Sequence, residues 1–449
     1  MPSFYLISLG CPKNTVASEK VIAALEQHGY QAAAQENQAD FLLVNTCAFI
    51  NPAATEAVDT ILELCEHKKK HKKAKLIVMG CLPQRHRDEL RESLPEVDLF
   101  WGVNQLEKIP QFLQDLKTPR EYYPEPLNQE PTERRLLTPG YTAFLKIAEG
   151  CNHHCYFCTI PTIKGKYLSR ERTELLQEAQ TLAENGVKEL NLIAQDTTSY
   201  GLDLYKKKAL PELLRDLAQI KEIEWLRILY AYPREITPEL LKVLSLEKKI
   251  CPYLDLPLQH CSATVLKAMG RKGNAQDLLQ LIEKIRKQVP GISLRSTFIV
   301  GHPGEGENEF EELRDFLKIV RLDKVGVFTY SKEANTPSAL LKPQIPQREK
   351  QTRRKILLEL QQQISLELNQ GKIGQTIPVL VEGESQMFPV PKDPKAKKWL
   401  KHAELYGRTI HDAPEIDGGI LLAGKARPGD ICRAKITDGS YYDLLGKIV

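Results

Sequence analysis

Apolar positions fall in short blocks, and the polar stretches between them keep helical spacing. Up to about residue 117, strand-like runs at Phe4–Leu9, Phe41–Asn45 and Leu76–Met79 alternate with helical patterns near Glu19–His28, Ala53–Glu66 and Pro83–Glu92. Such alternation predicts an N-terminal open parallel α/β sheet covered by helices. Residues 118–139 carry Pro119, Pro124, Pro126, Pro131 and Pro139 with little periodicity, which predicts a linker.

From Gly140 to Gly371 six strand candidates recur: Ala143–Ala148, Glu189–Ala194, Leu226–Ala231, Tyr253–Leu258, Ser293–Val300 and Val325–Tyr330. Between them Leu175, Ala179 and Leu182 share one helical face that ends at Gly186, and Phe310, Leu313, Leu317 and Val320 share another. Six strand–helix units predict a partial (β/α)6 barrel, two units short of a full one. A long helix is expected at Gln347–Asn369. Residues 372–449 change character. Short runs at Ile377–Val381, Ile420–Leu422 and Ile431–Ile436 are separated by glycine turns, as in small antiparallel β-barrels of the oligonucleotide-binding kind. Pro389, Pro391 and Pro394 with Lys392, Lys395, Lys397 and Lys398 read as a loop inserted in that barrel, about Pro389–Lys401. The expected class is therefore α/β multidomain, divided 1–117, 118–139, 140–371 and 372–449.

The chain has 449 residues, 42% hydrophobic and 27% charged, which fits several domains with ordinary cores and excludes wholesale disorder. No apolar run approaches the ~18 residues of a membrane helix, and the N-terminus lacks a basic region followed by an apolar one. No membrane and a cytoplasmic location are the expectations. Net charge is only +4, which permits nucleic acid as a partner without demanding it. In the basic run His67–Lys75 no aromatics are interleaved for base stacking, so a solvated helix end explains it better. No nucleophile elbow or phosphate-binding loop is present, and no catalytic acid, base or nucleophile is assigned.

Ten cysteines are too few for a disulfide scaffold in a chain this long. Cys151, Cys155 and Cys158 lie within eight residues, in CNHHCYFC, just after a predicted strand. Three thiolates at this spacing can hold an iron–sulfur cluster and leave one iron open for a ligand. Zinc completed by His153 or His154 is the alternative, with poor geometry because both histidines lie between the first two thiols. Cys11, Cys47 and Cys81 each follow a predicted strand. The carboxyl ends of parallel strands share one edge, so these distant cysteines would converge there as a second set. Cys65, Cys251, Cys261 and Cys432 fit neither pattern and read as packing residues.

CNHHCYFC resembles the Cys-x-x-x-Cys-x-x-Cys loop of radical S-adenosylmethionine (SAM) enzymes. Gly10-Cys11-Pro12-Lys13-Asn14, Asn45-Thr46-Cys47 and Gly80-Cys81 resemble the N-terminal half of methylthiotransferases, and the third segment resembles their TRAM domain. The likeness spans essentially the whole chain. Ala194–Thr198 with Tyr200-Gly201, Tyr253–Asp255, Pro257–His260, Phe328–Ser331, Gly407–Thr409 and Asp412–Asp417 resemble the branch that modifies a ribosomal protein. Ala17 and His302 depart from the family pattern, which usually has an aspartate and an aromatic there.

The resemblance implies two [4Fe-4S] clusters, on Cys151, Cys155 and Cys158 and on Cys11, Cys47 and Cys81, with S-adenosyl-L-methionine as cofactor. A 5′-deoxyadenosyl radical would take a hydrogen from the β-carbon of an aspartate in small-subunit ribosomal protein twelve. The second cluster would deliver a methylated sulfur. An electron donor and the ribosomal subunit are the further partners implied. The alternative is a tRNA adenosine methylthiotransferase. From Lys372 onward 12 Lys/Arg face 10 Asp/Glu, a net of +2, a thin footprint for tRNA. Candidate SAM contacts are Gln195 and Asp196 at a barrel strand end, Arg170 for the SAM carboxylate, and Arg295 with the Gly301–Gly304 turn. Asp196 could equally cap the next turn, Arg170 could equally form a salt bridge, and the glycines could equally serve a tight turn.

Overall fold

A computed structural model of the chain describes residues 1–113, 121–127, 131–387, 391 and 393–449. The boundary expected at Lys117, with Pro119, Pro389 and Lys392, lies outside these residues. The first sheet is parallel throughout, in the order β2-β1-β3-β4-β5-β6. Its strands are β1 (Ser3–Ser8), β2 (Gln31–Ala32), β3 (Phe41–Thr46), β4 (Lys75–Gly80), β5 (Leu99–Trp101) and β6 (Glu121–Tyr122). Leu42, Val44, Leu76 and Val78 point into one core with Ile61 and Leu64 of the helix Asn51–Lys70. Leu43, Ile77 and Leu99 point into the opposite core with Val21 and Leu25 of the helix Pro12–Gln27. Burial on both faces is what the near-continuous apolar strands require.

Two expectations shift here. The first helix begins at Pro12, not Glu19, because proline suits the first helical position. Its polar opening, including Lys13, Asn14, Ser18, Glu19 and Lys20, is nonetheless buried. The stretch read as a linker supplies β6, which pairs with β5. It also supplies Arg134, which is ion-paired to Glu19 at 3.2 Å and Glu178 at 2.9 Å.

The second sheet holds all six expected strands in parallel, ordered β14-β13-β12-β11-β10-β7. These are β7 (Thr142–Lys146), β10 (Glu189–Ile193), β11 (Trp225–Ile228), β12 (Ile250–Asp255), β13 (Ser293–Val300) and β14 (Lys324–Thr329). An antiparallel ribbon of β8 (Ala148–Glu149) and β9 (Leu168–Ser169) flanks the CNHHCYFC loop. Leu175, Ala179 and Leu182 are buried as their periodicity predicts, and Gly186 closes that helix at φ +97°. The long helix runs Gln347–Gln370.

The third unit is a closed barrel, β15-β16-β17-β19-β18. Besides the three expected strands, β15 (Thr376–Glu384), β17 (Ile420–Ala423) and β18 (Ile431–Gly439), it has β16 (Leu405–Thr409) and β19 (Leu444–Ile448). The expected loop contains a helix, Pro394–Trp399. The Asp393 carboxylate accepts from the Lys395 amide at 2.7 Å, and Ala396 and Trp399 bury one face beneath the lysines.

The third unit seats against the amino-terminal half of the central strands. Leu380 and Ala413 share a core with Phe144, Trp225, Cys251 and Tyr253, and Val16 of the first unit enters the same core. Arg408 and Arg227 both bind the buried Glu189, at 2.6 and 3.1 Å. Lys324 binds Asp412 at 2.5 Å. Among the described residues no helix is long and apolar enough to cross a membrane.

Candidate active site between two cysteine sets

β1, β3 and β4 are neighbours, so Cys11, Cys47 and Cys81 leave one sheet edge side by side. Two glycines let the three loops approach. At Gly10 (φ +94°) a Cβ would lie 2.5 Å from the Cys47 Cβ. At Gly80 (φ +100°) it would lie 2.4 Å from the Asn45 Oδ1 and 2.7 Å from the Thr46 carbonyl. The polar motif residues tie the loops together. Asn14 Nδ2 donates to the Leu9 and Thr46 carbonyls at 2.9 and 3.0 Å. Asn45 Nδ2 donates to the Asn14 carbonyl at 3.0 Å, and Thr46 Oγ1 to the Met79 carbonyl at 2.7 Å.

Burial pushes the Cys47 thiol up and the Cys81 thiol up to about 12; the charge of Cys11 raises both further, while Lys164 pulls against it. The buried Cys47 and Cys81 thiols resist ionisation alone, and a cationic metal cluster would stabilise their thiolate form.

The second set follows β8. Gly150 (φ +78°) passes so near the Lys166 carbonyl that a Cβ would sit at 2.2 Å. The His153 amide donates to Cys151 Sγ at 3.4 Å, and Arg271 Nη1 donates to Cys155 Sγ at 3.7 Å. Burial raises Cys151 to about 11 and Cys158 to about 12, again a donor set that fits a cluster. The His153 ring is committed elsewhere: it stacks on Tyr232 at 3.7 Å and meets Asp196 Oδ2 at 2.7 Å. The zinc alternative through His153 loses its fourth ligand by this. Among the described residues no group of three or more His, Cys, Asp or Glu side chains is placed to hold one metal ion.

One short segment joins the two sets. Directly after Cys158, Thr159 Oγ1 donates to the Phe49 carbonyl at 3.0 Å. The helix Ile160–Lys164 then packs Ile163 into the core that contains Cys81, Leu82 and Ala48. From the other side, Lys13 Nζ lies 3.5 Å from the Ala194 carbonyl, at the end of β10.

The candidate SAM residues divide. Gln195 Nε2 donates to Glu149, and its Oε1 is buried without a hydrogen bond. Asp196 caps the turn Thr197–Ser199, accepting from the Thr198 amide at 2.9 Å, while also holding His153. Burial opposes its ionisation, but hydrogen bonds from His153, Ser199 and Thr198 prevail and keep the carboxyl below its usual value. Arg170 is engaged by Glu178 at 2.7 Å in a buried pair rather than a surface one. Arg295 is engaged by Asp255 at 3.2 Å and Asp417 at 3.4 Å. In the Gly301–Gly304 turn, a Cβ on Gly301 would lie 2.3 Å from Lys350 Cγ, so that glycine is required by packing against the long helix. Gly304 sits at φ +99°.

His302 is buried, bonded to Ser338 Oγ at 2.7 Å and set edge-on to Tyr330. Burial lowers its pKa to about 4, so it packs as a neutral ring. Cys65, Cys251 and Cys261 are buried and Cys432 half-buried. Arg271, Tyr232, Lys13 and Lys164 were not singled out from sequence. Of these only Lys13 sits inside a motif.

Residues 145–317 match the radical SAM superfamily, residues 373–449 match the TRAM domain, and residues 3–102 match a family described as Uncharacterized protein family UPF0004. The chain is a radical SAM enzyme that carries a TRAM barrel, and its class implies a [4Fe-4S] cluster and SAM. Ribosomal protein uS12 methylthiotransferase RimO of Clostridium botulinum strain Hall is 44% identical over 99% of this chain and 97% of that protein. The protein of the same name from Caldanaerobacter subterraneus is 45% identical over 98% and 99%, and that from Thermoanaerobacter sp. X514 is 44% identical over 100% of both. This chain belongs to the RimO family of methylthiotransferases. In fold it is similar to the radical SAM methyltransferase TsrM from Kitasatospora setae (TM-score 0.57, 14% identity, 90% of this chain and 84% of that one). It is also similar to the cobalamin-dependent enzyme OxsB (TM-score 0.51, 14% identity, 80% and 56%).

Proposed function

We propose that this protein transfers a methylthio group to the β-carbon of an aspartate in small-subunit ribosomal protein twelve. One [4Fe-4S] cluster is held by Cys151, Cys155 and Cys158, a second by Cys11, Cys47 and Cys81. Bound there, the cofactors supply reductive SAM cleavage and a methylated sulfur, chemistry that acid–base side chains cannot provide at an unactivated C–H bond. The single observation that carries the reading is the joining of the two cysteine sets by the short segment Thr159–Lys164. Two sets held this close can serve one substrate atom. Gln195 and Asp196, beside the Cys151 loop, are the SAM contacts we retain. Arg170, Arg295 and Gly301 have the structural partners given above.

The functional units are the first α/β unit, which takes β6 from the segment 118–139, the central unit 140–371 and the barrel 372–449. An electron donor and the ribosomal subunit are the partners of this reading, and its setting is the cytoplasm. The full-length relatives are named for uS12, so tRNA as substrate is not favoured.

The test separates the two sets. After anaerobic loading, Cys81→Ala should still cleave SAM and yield no methylthiolated product, and Cys155→Ala should abolish both. Methylthio transfer by Cys81→Ala would refute a role for the second cluster.

A further inference from the structure

Three segments of the central unit meet at the loop that carries Cys155. The Tyr156 amide donates to the Met269 carbonyl at 2.9 Å, and the Ser338 amide donates to the Tyr156 carbonyl at 3.0 Å. A Cβ on Gly270 would lie 2.7 Å from the Tyr156 ring. Arg271 Nη1 reaches Cys155 Sγ itself at 3.7 Å. Segments 152–158, 263–274 and 334–345 thus join at the first cysteine set.

Their charge is one-sided. Together they carry Lys267, Arg271, Lys272 and Lys342 and no Asp or Glu. Lys267, Lys272 and Lys342 are exposed, and among the described residues none of the three is in an ion pair. Glu305 and Glu307, just after the Gly304 that sits beside Ala268, are both taken by Arg353, at 2.6 and 3.8 Å. Among the lysines stand exposed apolar side chains: Leu340 is 82% exposed, Tyr156 43% and Leu341 36%. Leu340 ends the short helix Pro337–Leu340 and enters none of the cores. Exposed apolar groups rimmed by charge of one sign mark a docking surface for a protein.

The place of this surface selects its partner. Radical chemistry at the first cysteine set begins with one electron, and that electron comes from outside the chain. Tyr156 adjoins a cluster ligand and Arg271 touches that ligand's sulfur, so an electron entering here has a short path. RNA phosphates would also answer the lysines, yet Leu340 and Leu341 offer nothing to a phosphate or a base. We infer that this surface docks a small acidic one-electron carrier protein, of the flavin or iron–sulfur kind, that reduces the cluster on Cys151, Cys155 and Cys158. One electron passes from the reduced carrier to the oxidised cluster, the carrier is oxidised by one electron, and no bond forms or breaks in this step. The contact is weak and electrostatically steered, of the small size usual for redox encounters. It rests on the first-cluster part of the reading above and is independent of the substrate.

The experiment uses the full chain loaded with its clusters without oxygen, and stopped-flow absorbance follows their reduction. A reduced flavodoxin and a reduced bacterial ferredoxin serve in separate arms as acidic carriers, and reduced methyl viologen serves as a small cationic donor. Lys267→Glu combined with Lys272→Glu should slow reduction by the carriers about tenfold to hundredfold at low salt. The difference should vanish near about 1 M salt, where the screening length is about 3 Å. Leu340→Ser should weaken carrier docking about tenfold at any salt. Reduction by viologen, and the SAM cleavage it drives, should be no slower than in the parent protein, which excludes a damaged cluster. Carrier rates equal to the parent's in both variants at low salt would overturn the inference; if the same variants lost affinity for a small-subunit ribosomal RNA fragment, the surface would belong to RNA. A parent protein that viologen reduces and neither carrier does would overturn it as well. No reduction of the parent by viologen would overturn the first-cluster reading, and this inference with it.

Discussion

Glu189 is the hinge of charge between the central unit and the TRAM barrel, and Glu189→Gln tests how firmly that barrel is fixed. Glu189 opens β10 and is fully buried. It accepts from Arg408 at 2.6 and 3.1 Å, from Arg227 at 3.1 and 3.2 Å, and from Thr142 Oγ1 at 2.8 Å. Burial alone would raise its pKa, but the two guanidinium groups prevail and lower it from 4.5 to about 2. A depression of that size corresponds to about 3 kcal/mol of stability at neutral pH. Removing the carboxylate leaves Arg227 buried without a carboxylate partner and Arg408 with Glu382 alone, and breaking a buried pair in this way usually costs about 3–5 kcal/mol. Because the pKa is depressed, the stabilisation is fully present above about pH 4.5 and is lost as pH falls toward 2.

Hydrogen exchange read by mass spectrometry checks this. In Glu189→Gln at pH 7, amides of β15 to β19 and of the segment 408–417 should exchange about a hundredfold faster or more, the equivalent of about 3 kcal/mol in local opening. The first sheet should be unchanged. The gap between variant and parent should close as the pH is lowered through 4 toward 2. Equal exchange at pH 7, or a gap independent of pH, would refute the reasoning.

Other substitutions follow from the same geometry. Gly80→Ala forces a Cβ against Asn45 and Thr46 at φ +100°; it should cost about 1–3 kcal/mol and cut bound iron from about eight to about four per chain, read by iron analysis. Arg85→Met strips the partner from the buried Glu333, held at 2.8 Å. Glu333 also accepts from the Asn51 amide at 2.9 Å. Exchange at the start of the helix Asn51–Lys70 should therefore rise, and no change would show that this contact does not hold the two units. Asp393→Ala removes the cap of the helix Pro394–Trp399 and should cost about 1 kcal/mol, read as faster exchange confined to that helix.

What could be read from sequence follows from which residues signal their own surroundings. The parallel strands announced themselves because both faces are apolar. Cys11, Cys47 and Cys81 could be grouped because each stands directly after such a strand. The opening of the helix Pro12–Gln27 was hidden because Lys13, Asn14, Ser18 and Glu19 are buried polar residues satisfied by partners elsewhere in the chain. β6 was hidden by the prolines around it, and β16 and β19 by their glycines and charges. The helix Pro394–Trp399 was masked by lysines that cover only its outer face. Arg170 and Arg295 looked like anion binders because nothing local shows Glu178, Asp255 or the distant Asp417. Lys164 carries no local mark either. Its place beside Cys81 exists only once Ile163 packs into the first unit.

The central claim is that two facing cysteine sets serve methylthio transfer to a protein. It is tested most directly by loading the chain without oxygen, reducing it with SAM present, and supplying ribosomal protein twelve and hypomodified tRNA in parallel. Intact-mass analysis should find a gain of about 46 Da, one hydrogen replaced by SCH3, on an aspartate of the protein and no gain on the tRNA. A gain on tRNA adenosine alone, or SAM cleavage with neither product, would contradict the account.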